Sequence, residues 1–113
     1  MSRLSTHVLD TSRGRPAVGV AVILESAKTD GSYAELSRGV TDPDGRIADL
    51  HPAGPLPRGE YRLRFLTGDY LRARGDAVFY PEVPVRFAID DAAARYHLPL
   101  LLSPYGYSTY RGS

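Results

Sequence analysis

Apolar and polar residues alternate in short runs along this chain, and turn-forming residues interrupt each run early. Residues 4–10 form a first alternating stretch, closed by the polar segment 11–16. Residues 20–25 are β-branched and almost continuously apolar, the pattern of a strand buried on both faces. Asp30-Gly31-Ser32 reads as a hairpin loop, and a weaker strand is expected over residues 33–41. Asp42-Pro43-Asp44-Gly45 is a strong turn signal, because proline suits its second position and glycine accepts a positive φ at its last. A short strand over residues 46–50 then leaves through the proline-rich loop 51–59.

Residues 60–66 alternate again, with Tyr61, Leu63 and Phe65 on one face and the charges on the other. The one helical candidate follows: Thr67 stands where a cap is needed, Asp69 suits the positive N-terminal end, and Gly75 is a stop after Arg74. Residues 83–89 alternate. The last segment runs as an apolar strand from Tyr96, turns at Ser103-Pro104, and returns as a strand dense in hydroxyls and aromatics. It ends on Tyr110-Arg111-Gly112-Ser113.

About eight short strands and one brief helix, at the spacing of a sandwich, predict an all-β sandwich of two antiparallel sheets. No repeat, linker or low-complexity segment divides the chain, so one domain over residues 1–113 is expected. Its 113 residues suffice for one core of moderate size. The net charge of +1 gives no basic excess with which to meet nucleic acid or an anionic membrane surface. No cysteine is present, which excludes disulfide and thiolate chemistry and fits a reducing compartment. Residues 1–20 lack the pattern of a signal peptide and no apolar run approaches the roughly 20 residues of a membrane span, so a cytoplasmic protein is expected.

Histidine is the side chain that titrates nearest neutral pH, which makes His7, His51 and His97 the first candidates for acid–base work. His51 sits in the proline-rich loop and reads as structural. His7 and His97 lie within predicted strands. Strand parity puts Ser5, His7 and Leu9 on one face of the first strand, with Thr6 and Val8 on the other. The same rule groups His97 with Pro99 and Leu101, against Tyr96, Leu98 and Leu100; on the last strand Ser108 goes with Tyr110. If the apolar sets fill the core, both histidines point outward with Ser108 and Tyr110. A face that also carries Leu9, Pro99, Leu101 and Tyr110 is too apolar for open solvent and suggests a subunit interface holding a pocket.

Two histidines without a telling carboxylate do not specify a zinc site. The chain has no Gly-x-Ser-x-Gly elbow and no phosphate-cradling loop. The remaining set of histidines, arginines and hydroxyls suits general-base activation of water on a small polar substrate. Arg46, aimed by the tight turn before it, and Arg111 offer planar bidentate donors to a flat, oxygen-rich ligand.

Several separated segments together resemble the transthyretin-like 5-hydroxyisourate hydrolases. They are Leu4-Ser5-Thr6-His7-Val8-Leu9-Asp10 with Gly14-Arg15-Pro16-Ala17, Thr41-Asp42-Pro43-Asp44-Gly45-Arg46, Phe79-Tyr80-Pro81-Glu82-Val83, and residues 96–113, whose terminal Tyr110-Arg111-Gly112-Ser113 is the most specific motif. The resemblance implies a prealbumin-like sandwich and a homotetramer, a dimer of dimers with sites in a channel at the dimer–dimer interface. It implies hydrolysis of 5-hydroxyisourate to 2-oxo-4-hydroxy-4-carboxy-5-ureidoimidazoline in urate degradation, with no metal or organic cofactor. By motif position the catalytic residues fall on His7, Arg46, His97 and Ser108, and substrate binding on His7, Arg46, Tyr110, Arg111, Gly112 and Ser113. Which histidine is the base stays open at this point. A non-catalytic small-ligand carrier of the transthyretin type is the alternative, and an interaction module a third reading; a carrier needs neither the histidine pair nor the terminal motif.

Overall fold

A computed structural model describes residues 3–112 of the chain. Two sheets form a sandwich. One has β1 (Arg3–Asp10) at its centre, with β2 (Arg15–Pro16), β5 (Arg46–Ile47), β8 (Arg95–His97), β9 (Leu100–Ser103) and β10 (Gly106–Thr109) around it. The other has the order β4 (Tyr33–Val40), β3 (Ala21–Ala27), β6 (Gly59–Phe65), β7 (Val83–Ile89). A single short helix, α1 (Thr67–Ala73), follows β6.

Side-chain parity decides which faces meet. Leu4, Thr6, Val8 and Asp10 of β1 are buried while Ser5, His7 and Leu9 are half-buried, so the period of two places the histidine on the face away from the core. Val22 and Leu24, Tyr61, Leu63 and Phe65, and Leu100 and Leu102 enter one core from the other strands. Ile23 is buried although it lies outside that core; in register it sits between Arg38 and Arg64, whose apolar stems flank it. β3 is thus covered on both faces, as its continuous apolar run predicts.

The sheets are mostly antiparallel, and the departures matter for the site. β1 runs parallel to β8 and β9. The expected apolar strand beginning at Tyr96 breaks at Leu98-Pro99, where a proline cannot donate to the ladder. Leu98 keeps its inward direction, and Pro99 is buried instead of sharing an outward face with His97. The segment read as a polar turn over residues 11–16 contributes β2, which pairs back on Leu9 and Asp10. β10 ends at Thr109, so Tyr110 lies beyond the strand on which it was expected.

Thr67 is the first helical residue and not the cap; its Oγ1 donates to the Tyr80 carbonyl, and no side chain caps α1. Gly75, at φ 76°, ends the helix with a paired closure, Gly75 N–H to Arg72 and Asp76 N–H to Leu71. The helix is tied to the end of β1 by the Tyr70 hydroxyl, 2.7 Å from the buried Asp10 carboxylate. Burial pushes that carboxyl upward, but hydrogen bonds from Tyr70, Arg13 and Ser12 outweigh it and leave it below its usual range. No helix among the described residues is long and apolar enough to cross a membrane.

Candidate active site

β1 supplies the platform. Its outward face carries Ser5 and His7, and the strands on either side bring one partner to each. On one side the turn Asp42-Pro43-Asp44-Gly45 feeds β5, and Arg46 pairs directly opposite His7. Gly45 N–H donates to the Asp42 carbonyl across that turn, and Asp42 Oδ1 accepts from the Asp44 and Arg46 N–H groups. The Asp44 carbonyl is left facing His7 Nε2 at 2.9 Å. A carbonyl can only accept, so Nε2 bears the proton and neutral His7 keeps its lone pair on Nδ1. The Arg46 guanidinium is exposed and has no ion-pair partner among the described residues, which leaves its donors for a ligand.

On the other side of β1 lies β8, with His97 opposite Ser5. Ser5 Oγ stands 2.8 Å from His97 Nδ1. The chain end then returns beneath the ring: Gly112 N–H donates to the His97 carbonyl at 2.7 Å. A Cβ at residue 112 would fall 2.6 Å from His97 Cδ2, so only glycine lets the backbone pass the imidazole. Partial burial lowers the His97 pKa from its ordinary value, and Coulombic interaction with Arg46, then with His7, lowers it further. The ring is therefore held neutral at neutral pH, with one nitrogen lone pair available to accept a proton.

Ser5, Arg46, His97 and Gly112 line one cavity of about 450 Å³, together with Arg3 and Arg95. Arg3 is pinned to Asp49. Ser108 lies farther along the same face: it pairs with Leu101, which pairs with Leu9, two residues from His7. Tyr110 and Arg111 go elsewhere. They line, with His97, Leu98 and Phe87, a second cavity of about 290 Å³ at the end of the sandwich. Arg111 stacks on Tyr96 with its guanidinium carbon 4.3 Å from the ring centroid. Ser113 lies outside the described residues. His51 is structural, its Nδ1 bonded to the Gly54 carbonyl at 2.7 Å. Among the described residues no group of three or more His, Cys, Asp or Glu is arranged to hold a metal ion.

Sequence reasoning passed over Ser5. Parity places it on the His7 face, but its pairing with His97 needs the β1–β8 register. Gly112→Ala is expected to lower turnover about tenfold to a hundredfold while leaving the circular dichroism of the sandwich unchanged, because the new methyl displaces the His97 ring and not the core.

Fold and cluster together define a β-sandwich protein with two histidines and an arginine gathered on the outer face of one sheet. The family described as the HIUase/Transthyretin family matches residues 4–112, and the chain belongs to it. It is 50% identical over 110 residues to a 5-hydroxyisourate hydrolase of Salmonella dublin, covering 97% of this chain and 80% of that one. The 5-hydroxyisourate hydrolase structure of Klebsiella pneumoniae superimposes with a TM-score of 0.89 at 42% identity over the whole of both chains. Sea bream transthyretin in complex with thyroxine gives 0.91 at 33% identity, covering 97% of this chain and 94% of that one.

Proposed function

We propose that the chain hydrolyses 5-hydroxyisourate to 2-oxo-4-hydroxy-4-carboxy-5-ureidoimidazoline. The observation that carries this reading is the joint placement of His7, Arg46 and His97 on one outward face, with the His97 ring kept neutral. A histidine takes a proton from water, whose oxygen bonds to a ring carbonyl carbon of the substrate. Arg46 steadies the negative charge that develops on the carbonyl oxygen. The ring C–N bond then breaks and its nitrogen takes up the proton. Ser108, farther along the same face, supplies a further hydrogen bond to the flat substrate, and Tyr110 and Arg111 flank His97 from the second cavity.

The same reading has four copies assembled as a dimer of dimers, in the cytoplasm, with sites between dimers. The assembly part of this reading is supported by exposed aromatic rings at Phe79, Tyr105, Tyr107 and Tyr110, and by β7 and β10 standing at the outer edges of their sheets. Non-catalytic ligand binding, of the kind a thyroxine complex represents, needs no neutral histidine beside a free guanidinium. The test generates 5-hydroxyisourate from urate in the cuvette and follows its ultraviolet absorbance. The chain is expected to accelerate the decay strongly; a rate equal to the spontaneous one would overturn the reading in favour of a carrier.

A further inference from the structure

Ser5 has no role in the reaction as written above, yet the fold fixes its hydroxyl against the imidazole of His97. The β1–β8 register cannot slip without exposing Leu4 and burying Ser5. Hydrogen bonds on either side hold it further: Thr6 Oγ1 donates to the Leu98 carbonyl at 2.6 Å, and Leu98 N–H to the Ser5 carbonyl at 3.0 Å. The ring is confined on both edges. Nδ1 faces the Ser5 hydroxyl, and Cδ2 faces the Gly112 backbone with no room for a Cβ between them. That orientation leaves Nε2 as the nitrogen free to meet water in the cavity shared with Arg46.

We infer that Ser5 is a positioning residue: its hydroxyl oxygen accepts the Nδ1 proton of His97 and holds the neutral ring with its lone pair on Nε2. A histidine side chain free in water favours the opposite tautomer, with the proton on Nε2, and could not take a proton there. In the hydrolysis proposed above, on which the catalytic part of this inference rests, Nε2 removes the proton from water as the oxygen–carbon bond forms. The imidazolium then carries one N–H on each nitrogen; Nδ1–H stays on Ser5, and Nε2–H passes to the ring nitrogen of the substrate as the C–N bond breaks. His97 thereby becomes the general base, and His7, whose Nε2–H is engaged by the Asp44 carbonyl, orients the water or the substrate.

Two readouts test this. In the first, Ser5→Ala lowers kcat about tenfold with KM nearly unchanged, and Ser5→Thr, which restores a hydroxyl, returns kcat to within about twofold of the parent. In the second, nitrogen-15 NMR of the resting protein finds the His97 proton on Nδ1 in the parent and on Nε2 in Ser5→Ala. Wild-type kcat in Ser5→Ala, an equal loss in Ser5→Thr, or an Nε2-protonated His97 in the parent would each overturn the inference. Should Ser5→Ala not fold, Ser5→Cys, similar in size and a poor hydrogen-bonding partner, carries the same two readouts. A parent chain that leaves 5-hydroxyisourate untouched removes the hydrolase reading, while the ring-nitrogen signals still decide the role of Ser5.

Discussion

His97→Asn is expected to lower kcat for 5-hydroxyisourate about 10²- to 10⁴-fold, the span of a lost general base. Asparagine fits the space beside Ser5 and Gly112 and leaves the β1–β8 ladder intact, so thermal stability should change little. Removing proton transfer is the main consequence. The pH profile of the parent gives an independent check. Partial burial, with Arg46 and His7 beside it, holds the His97 pKa below its ordinary 6.5. The neutral, active ring therefore persists to lower pH than a free histidine would allow, and kcat/KM should begin to fall only below about pH 6.5. Stability follows the same sign. The folded state takes up this proton less readily than the unfolded chain, so its contribution is complete above pH 6.5 and is lost as pH falls from there through the lower folded-state pKa. Stopped-flow assays of His97→Asn and of the parent between pH 5 and pH 8 make both measurements; wild-type turnover in the variant would remove His97 from the chemistry.

Gly45→Ala should be the most damaging small substitution for stability. Gly45 stands at φ 76°, where an L side chain costs roughly 1–2 kcal/mol. An added Cβ would also fall 2.5 Å from the Val8 carbonyl oxygen and 2.9 Å from Pro16 Cβ. The first of these is backbone at the centre of the main sheet and cannot swing aside. Val8 N–H meanwhile donates to the Gly45 carbonyl at 2.8 Å, so any shift of the turn breaks a bond to β1. A loss of roughly 2–4 kcal/mol is expected, with Tm lower by about 10–15 °C in calorimetry. Gly31→Ala is the control: its φ of 87° is equally positive, but nothing lies within 4 Å of the added Cβ, and about 1 kcal/mol should be lost. Activity should fall further than stability in Gly45→Ala, because the same turn presents the Asp44 carbonyl to His7 and launches Arg46.

The sandwich was legible because strand parity is local. Alternation over residues 4–10 and 60–66 states which side chains face inward, and burial follows it in β1 and β6. The Asp42–Gly45 turn was legible for the same reason, since its residue types carry their own backbone preferences. Pairing was less accessible. Nothing in the chemistry of Arg15-Pro16 announces that it adds to β1, and nothing near Tyr96 says that β8 and β9 will run parallel to it. The two outward histidines could therefore be placed on one kind of face, but Ser5 could not be matched with His97, nor His7 with Arg46, without the register. Pro99 misled for a simpler reason: parity assumes a continuous strand, and the proline interrupts it. Tyr110 and Arg111 lie past the last ladder pair, where alternation has no authority, and they turn toward the second cavity.

The parallel pairing of β1 with β8 has a kinetic consequence. Ser5 and His97 are separated by 92 positions, and closing a loop of that length costs roughly 4 kcal/mol of chain entropy before either residue gains a contact. Contacts so distant in sequence belong to slow-folding topologies, in the millisecond-to-second range. The half-site of His7 and Arg46 closes a shorter loop, with 37 positions between His7 and Asp44 of the turn that launches Arg46, but the second histidine joins it only when the last strands dock beside the first. Catalytic competence then arrives with the final closure of the sheet, so a partly folded chain carries the arginine grip without the base.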